Sequence, residues 1–225
     1  KHDFYVEESY VIGWMYPYLT PNGLILKLNK EPLPPGPLDS KLVENDHRFW
    51  GWYTKWLLDQ PAFCRDICAR KSFSKLRSAI AGVYDYRRMY DEAEYAFKQS
   101  IELYPLSPEA SFRLAQMYMN MQRFDDAEQL IRGFAAADPK NDSAKGFLSQ
   151  IEGTKRMIDR RKEIENKQKE TSTLSPDEAL ELVSIYRASG MQGAYQNLAS
   201  RLLSDSNLPP QHILALAGFF AQDQR

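Results

Sequence analysis

Three small clusters of side chains in this sequence could do chemistry. Glu7 and Glu8 are adjacent carboxylates. Two carboxyl groups can divide acid and base roles across a bond, but only when both face one gap. Neighbouring residues point in different directions in a helix or a strand, so these two are not such a pair by themselves. Asp46 and His47 have the composition of a carboxylate-assisted base. Asp46 is better read as the cap of the aromatic-rich helix that follows it, with Asn45 as the alternative cap. Cys64 and Cys68 stand four apart in "FCRDICAR", which on one helix puts both thiols on one face. A metal would need further ligands, and the histidines, His2, His47 and His212, are scattered. A disulfide across one helical turn is strained, so both cysteines are expected to be reduced, mostly buried packing residues. "VIGWM" and "TPNGL" hold single glycines, too few for a phosphate cradle. Neither G-x-S-x-G, H-E-x-x-H nor C-x-x-C is present. The sequence therefore predicts no catalytic residue, no metal and no cofactor.

The bulk properties agree with a globular chain. It has 225 residues, 43% hydrophobic and 26% charged, with a net charge of −1, enough for one or two domains with a sizeable core. That charge balance argues against nucleic acid or an anionic membrane as partner. The longest stretch without a charge, Ser9 to Leu26, is broken by Pro17, Pro21, Asn22 and Gly23, so it does not read as a membrane span. Nor is it a signal peptide, since a basic start and an unbroken apolar middle are lacking. A start at Lys1 reads as a chain cut from something longer.

The elements that must position any site announce themselves by repetition. "YDEAEYAFKQSIELYP" and "FDDAEQLIRGFAAADP" begin at Tyr90 and Phe124, 34 residues apart. The same offset links Ala81 to Ala115, Tyr84 to Tyr118, Ala93 to Ala127, Phe97 to Ile131 and Pro105 to Pro139. Small alanines let two successive helices approach, aromatic and aliphatic side chains fill the space around them, and each proline stops the second helix. This pattern resembles the tetratricopeptide repeat. The resemblance implies an all-α solenoid, a right-handed superhelix of helix pairs. Arg77 and Ser111 depart from it, standing where tryptophan or leucine is usual.

Five segments are expected. Residues 1–45 form an aromatic front and a proline-rich linker, with a short strand at Leu24 to Asn29 after the turn "TPNG" and four prolines between Lys30 and Ser40. Residues 46–73 are leading helices; from Pro61 the chain reads as one longer helix that runs on into the first repeat. Residues 74–141 are two repeats, and 142–172 one long charged helix, solvated or offering a basic face to a partner. Residues 173–225 are a degenerate repeat, with Tyr195 in place of a small residue, and a final capping helix.

First-helix side chains of stacked repeats line a hollow. In this register they are Lys75, Ser78, Gly82, Asp85 and Tyr86, then Glu109, Phe112, Arg113, Gln116, Met119 and Asn120. Ser78 and Gly82 stand at two positions of the known clamp for chaperone tails, which makes that partner a poor fit. A protein or peptide, or another part of the same parent chain, suits the hollow better. The words "FYVEESYVIGWMYPYLTPNGLILKLN", "DHRFWGWY" and "KLRSAIAGVYDYRRMYDEAEYAF" resemble the soluble tail of a bacterial membrane-protein family similar to C-superfamily, protein O-mannosyltransferase-like glycosyltransferases. That resemblance, over about Phe4 to Ala137, implies an accessory extracytoplasmic domain that meets the membrane only through an upstream region. The competing reading is a carbohydrate-active enzyme or sugar binder using the aromatic front, six of whose sixteen residues from Phe4 to Leu19 are aromatic. Tyr10, Trp14 and Tyr18 are expected to dock on the helix of Trp50, Tyr53 and Trp56, leaving the hollow at Tyr86 and Phe112 open.

Overall fold

A computed structural model describes residues 2–7 and 12–223. The chain divides into two compact units, 1–151 and 152–225.

The first unit opens with strand β1 (Phe4–Val6), a 3-10 turn (Gly13–Tyr18), and a hairpin of β2 (Leu19–Asn22) and β3 (Ile25–Leu28). The sheet is antiparallel in the order β1-β3-β2, with Leu28 opposite both Phe4 and Leu19. Gly23 turns the hairpin with φ +64°, a conformation glycine adopts at no steric cost. One strand was expected here; the other two pair with it over a stretch that holds Pro21, which is tolerated on an edge strand. Leu19 and Leu26 are buried, and the buried Trp50 donates its indole N–H to the Gly23 carbonyl at 3.0 Å.

Trp50 belongs to helix α1 (Ser40–Leu58). Its cap is Asp39, which accepts from the amides of Lys41 and Leu42. The helix thus starts earlier than the cap assigned to Asn45 or Asp46, and Asp46 is left inside the helix and buried. A short α2 (Pro61–Arg65) and a long α3 (Ile67–Tyr86) follow. The expected single helix is broken because Asp66 leaves the helical conformation and its side chain caps α3 through the Ala69 amide. Cys64 and Cys68 consequently lie on different helices, and both are exposed rather than buried.

Helix α3 pairs with α4 (Tyr90–Leu103), and α5 (Pro108–Asn120) with α6 (Phe124–Ala137). Ala81, Ala93, Ala115 and Ala127 are fully buried where these helices meet, with Tyr84, Phe97, Tyr118 and Ile131 buried around them. Pro105 and Pro139 follow the ends of α4 and α6. The turns within pairs repeat as faithfully as the cores. Arg88 and Gln122 are left-handed at φ +59° and +61°. In each turn the next amide, of Met89 or Arg123, reaches back to the Tyr84 or Tyr118 carbonyl, closing a Schellman turn.

Helix α7 (Asp142–Thr171) starts in the first unit and continues into the second. Asn141 caps it by accepting from the Ala144 amide. The second unit holds the remainder of α7, then α8 (Pro176–Ala188), α9 (Gln192–Leu203) and α10 (Pro210–Asp223). The α8–α9 turn has the same chemistry: Gly190 is left-handed and the Met191 amide reaches the Tyr186 carbonyl. Gly190 lies 68 residues, two periods, beyond Gln122. The intervening turn position, Arg156, is inside α7. In sequence the 34-residue spacing therefore continues past the long helix, which occupies the residue positions of a third helix pair. Both units are built of packed helices, and β structure is confined to the front among the described residues.

Candidate functional site

The residues expected to line a hollow lie on α3 and α5, the first helices of the two repeats, with Arg113 among them. The guanidinium lies across Gly82, in space that any side chain at position 82 would claim. It sits 5.3 Å from the Phe97 ring centre, 3.5 Å from the Ser78 carbonyl, and 3.7 Å from the Glu109 carboxylate. Burial raises the carboxyl pKa of Asp85, and the nearby positive charge of Arg113 partly opposes that rise. Around this pair, Lys75, Glu109, Gln116 and Asn120 are exposed, and Gln116 donates to the Asn120 side chain at 3.1 Å. Phe112 and Met119 are half-buried. Phe112 packs edge-on against Phe134 at 5.4 Å and lies 5.8 Å from Phe147, so much of it belongs to the packing of α5 on α6 and α7. Ser78 is fully buried. Its hydroxyl has no hydrogen-bond partner and lies out of a partner's reach.

The Tyr86 end of the hollow differs from expectation. Tyr86 is exposed, but its ring lies 5.2 Å from Tyr16 of the front segment. The front is held there by Arg87, whose guanidinium donates to the carbonyls of Pro17, Pro34 and Gly36 at 3.0–3.2 Å. A proline-rich strap has few amides of its own to bond with, and Arg87 takes up its carbonyls instead. Lys30 to Ser40, the expected proline-rich linker, runs as a strap with Leu38 buried. A cleft of about 330 Å³ remains between the strap, Tyr86 and Arg88. Docking of the front on α1 runs through Leu19, Leu26 and Gly23, while Trp14 and Trp56 stay exposed; Tyr10 lies outside the described residues.

Asp46 is the residue that the sequence misled on most. Its Oδ2 accepts from Arg77 at 2.8 Å and from the Tyr84 hydroxyl at 2.9 Å, all three side chains buried. The Arg77 Nε donates to Gln99 at 2.8 Å, and the guanidinium lies 5.1 Å from the Trp50 ring centre. Burial and the Asp46 charge push the Tyr84 hydroxyl pKa far up. Arg77, the departure from the repeat pattern, was the one available signal: a buried arginine requires an acid somewhere.

Asp46 and His47 form no acid–base dyad. Asp46 Oδ1 and His47 Nε2 are each buried without a hydrogen-bond partner, the His47 ring lies 4.7 Å from Tyr95, and burial lowers its pKa. Glu7 is exposed and Glu8 lies outside the described residues. Among the described residues no group of three His, Cys, Asp or Glu side chains could hold a metal, and no helix is long and apolar enough to cross a membrane. On the second half of α7 some of the cations are paired with acids, while Arg156, Lys162 and Lys169 are exposed. Arg160 pairs with Glu163 on α7 and with Glu181 on α8, and Lys167 pairs with Glu178.

Short antiparallel helix pairs, stacked in a 34-residue register and closed by the same turn, define an α-solenoid of tetratricopeptide type. Residues 87–151 match the tetratricopeptide repeat family, so the stretch from α4 into α7 is a tetratricopeptide-repeat segment. Among solved structures, a putative protein binding protein from Bacteroides ovatus is similar at 14% identity, covering 82% of this chain and 91% of its own, with a TM-score of 0.36. A tetratricopeptide repeat protein from Parabacteroides merdae aligns at 13% identity over 82% of this chain and 78% of its own, TM-score 0.34. PilF of Pseudomonas aeruginosa aligns at 10% identity over 81% and 87%, TM-score 0.34. No curated protein matches the chain.

Proposed function

We propose that this chain is a non-catalytic interaction module whose α3–α5 face holds a protein or peptide. The observation that carries the reading is Arg113 laid over Gly82 beside Asp85, in a strip of exposed polar side chains, Lys75, Gln116 and Asn120. These groups can donate to backbone carbonyls or carboxylates of a bound segment, and Glu109 and Asp85 can accept from its amides or cations. A photo-crosslinking side chain placed at Gln116 should label a partner in cells. The same probe at Gln129, exposed on α6, should not. Equal labelling from both positions would remove the hollow from consideration.

The finer reading is that the module is the extracytoplasmic tail of a membrane glycosyltransferase-like protein. The resemblance of the front words, from Phe4 to Asn29 and Asp46 to Tyr53, supports it. An alkaline phosphatase fused after Asp223 in the complete protein should be active; an inactive fusion beside an active cytoplasmic reporter would contradict that location.

A further inference from the structure

Two arginines are buried among the described residues, Arg77 at 0% exposed and Arg87 at 7%. Arg77 is answered by the Asp46 carboxylate. Arg87 is answered by no described acid. Its guanidinium donates to the carbonyls of Pro17, Pro34 and Gly36, and its Nε has no partner. Carbonyl dipoles share a charge without cancelling it, so one positive charge stays out of water and uncompensated. Burial lowers the Arg87 pKa, and what opposes this is the Tyr86 hydroxyl, not a carboxylate. Asp85, the nearest acid along the chain, lies in the field of Arg113.

Arg87 lines the cleft of about 330 Å³ between the strap and the α3–α4 turn. Arg88 lines it too, exposed and paired with no described acid. The remaining lining is largely apolar: Pro17, Leu33 and Pro35, with the Tyr86 ring placed 5.2 Å from Tyr16. None of the lining residues is acidic, and the prolines bring no amide donors. A cation entering this cleft meets two guanidinium groups. A neutral apolar molecule leaves both charges unanswered. A phosphate dianion would shed a tightly held hydration shell against proline and tyrosine rings in exchange for one exposed guanidinium. A carboxylate fits better, because it takes two parallel N–H groups from one guanidinium fork and lends its charge to the second. The volume is at the small end of ligand clefts, which suits one ring or a few carbons behind the anion. We propose that this cleft, at the α3–α4 turn rather than on the α3–α5 strip, binds a carboxylate carried on a small apolar or aromatic body, with Arg88 gripping the carboxylate and Arg87 adding its buried charge.

Benzoate titrated into the isotope-labelled 225-residue chain tests this by NMR. The amides of Gly36, Tyr86 and Arg88 should move saturably, while those of Gln116 and Asn120 stay still. Benzamide, of the same shape without the charge, should bind about ten-fold more weakly or worse. Arg88→Gln should weaken benzoate by about the same ten-fold with an unchanged melting temperature. Gln122 holds the equivalent left-handed turn position in the second repeat, so this change copies a residue that the turn already accepts. A short peptide ending in phenylalanine then separates two sources of the carboxylate. Binding tighter than benzoate, and lost when the peptide is amidated at its C-terminus, assigns the cleft to the end of a polypeptide; a peptide no tighter than benzoate assigns it to a free acid. The proposal is overturned by an absence of saturable shifts, by equal shifts with benzamide, or by full benzoate affinity in Arg88→Gln. Peptide binding that survives amidation overturns it as well, as does displacement of benzoate by an equal concentration of inorganic phosphate.

Discussion

The two repeats of the first unit share a register but not a way of holding their tyrosines. Tyr84 of the first gives its hydroxyl hydrogen bond to Asp46, on a helix outside the repeats, in a site whose acid side chain is 2% exposed. Tyr118 of the second is paired with Glu94 on α4, whose side chain is 17% exposed and also pairs with Arg123 and Lys98. Arg77, the counterion in the first site, has Ser111 as its equivalent in the second, so no internal charge needs answering there. The first repeat has thus turned a packing position into a fastener: the arginine joins α1 to the solenoid through groups that are all buried. The second keeps its charges at the rim, where water shares the load. Burying an ion pair costs desolvation that partners must offset, and here one oxygen of Asp46 and one terminal nitrogen of Arg77 stay unpartnered, while a rim pair is forgiving.

The contrast can be broken at its strong end first. Asp46→Ala leaves Arg77 buried without its acid, and should cost about 3–5 kcal/mol in a denaturant melt. Replacing both, Asp46→Leu with Arg77→Met, should recover most of that loss, since an apolar pair carries no stranded charge. If the single change melts like the parent, the fastener is not one. Next come the alanines common to both repeats. Ala93→Leu and Ala127→Leu should each overpack a helix contact and cost about 1–3 kcal/mol, and equal costs would show that the two repeats differ in their charges and not in their packing. The smallest effect tests the rim. Burial alone would raise the Glu94 pKa, but hydrogen bonds from Arg123 and Lys98 hold it down at about 2, against an ordinary 4.5. A depressed carboxylate stabilises the fold above its unfolded pKa, and that contribution fades as pH falls from 4.5 to about 2. Glu94→Gln should therefore lower the melting temperature slightly at neutral pH and flatten its decline over that acid window. An unchanged acid slope would mean that Glu94 is not the group being titrated.

What the sequence disclosed follows the same division. The repeats were legible because helix pairs are local: Ala93 and Ala127, or Pro105 and Pro139, repeat at one offset and need no knowledge of the rest of the chain. The fastener was not, because Asp46 and Arg77 pair across 31 residues and leave no periodic trace. Asp46 follows Asn45 ahead of an aromatic run, so it read as a cap, while the true cap, Asp39, hides behind prolines. The break at Asp66 escaped notice because neither proline nor glycine marks it. Of the hollow, the strip from Lys75 to Asn120 followed from the register; the fate of Ser78 and the strap over Tyr86 depended on tertiary contacts no spacing records.

The grip of Arg87 on Pro17, Pro34 and Gly36 also sets an order of events. These contacts span 51 to 70 residues of chain, whereas α3 and α4 meet across the three residues Arg87, Arg88 and Met89 and need close only a short loop. Long closures carry their entropic cost before any contact rewards them, so they form late. Pulse-labelling of amides during refolding should protect Ala93 on α4 before Leu26 in the hairpin. During synthesis the front emerges first and is fastened last. Its aromatic stretch precedes the turn carrying Arg87 in the chain, so it cannot be fastened until that turn has been made.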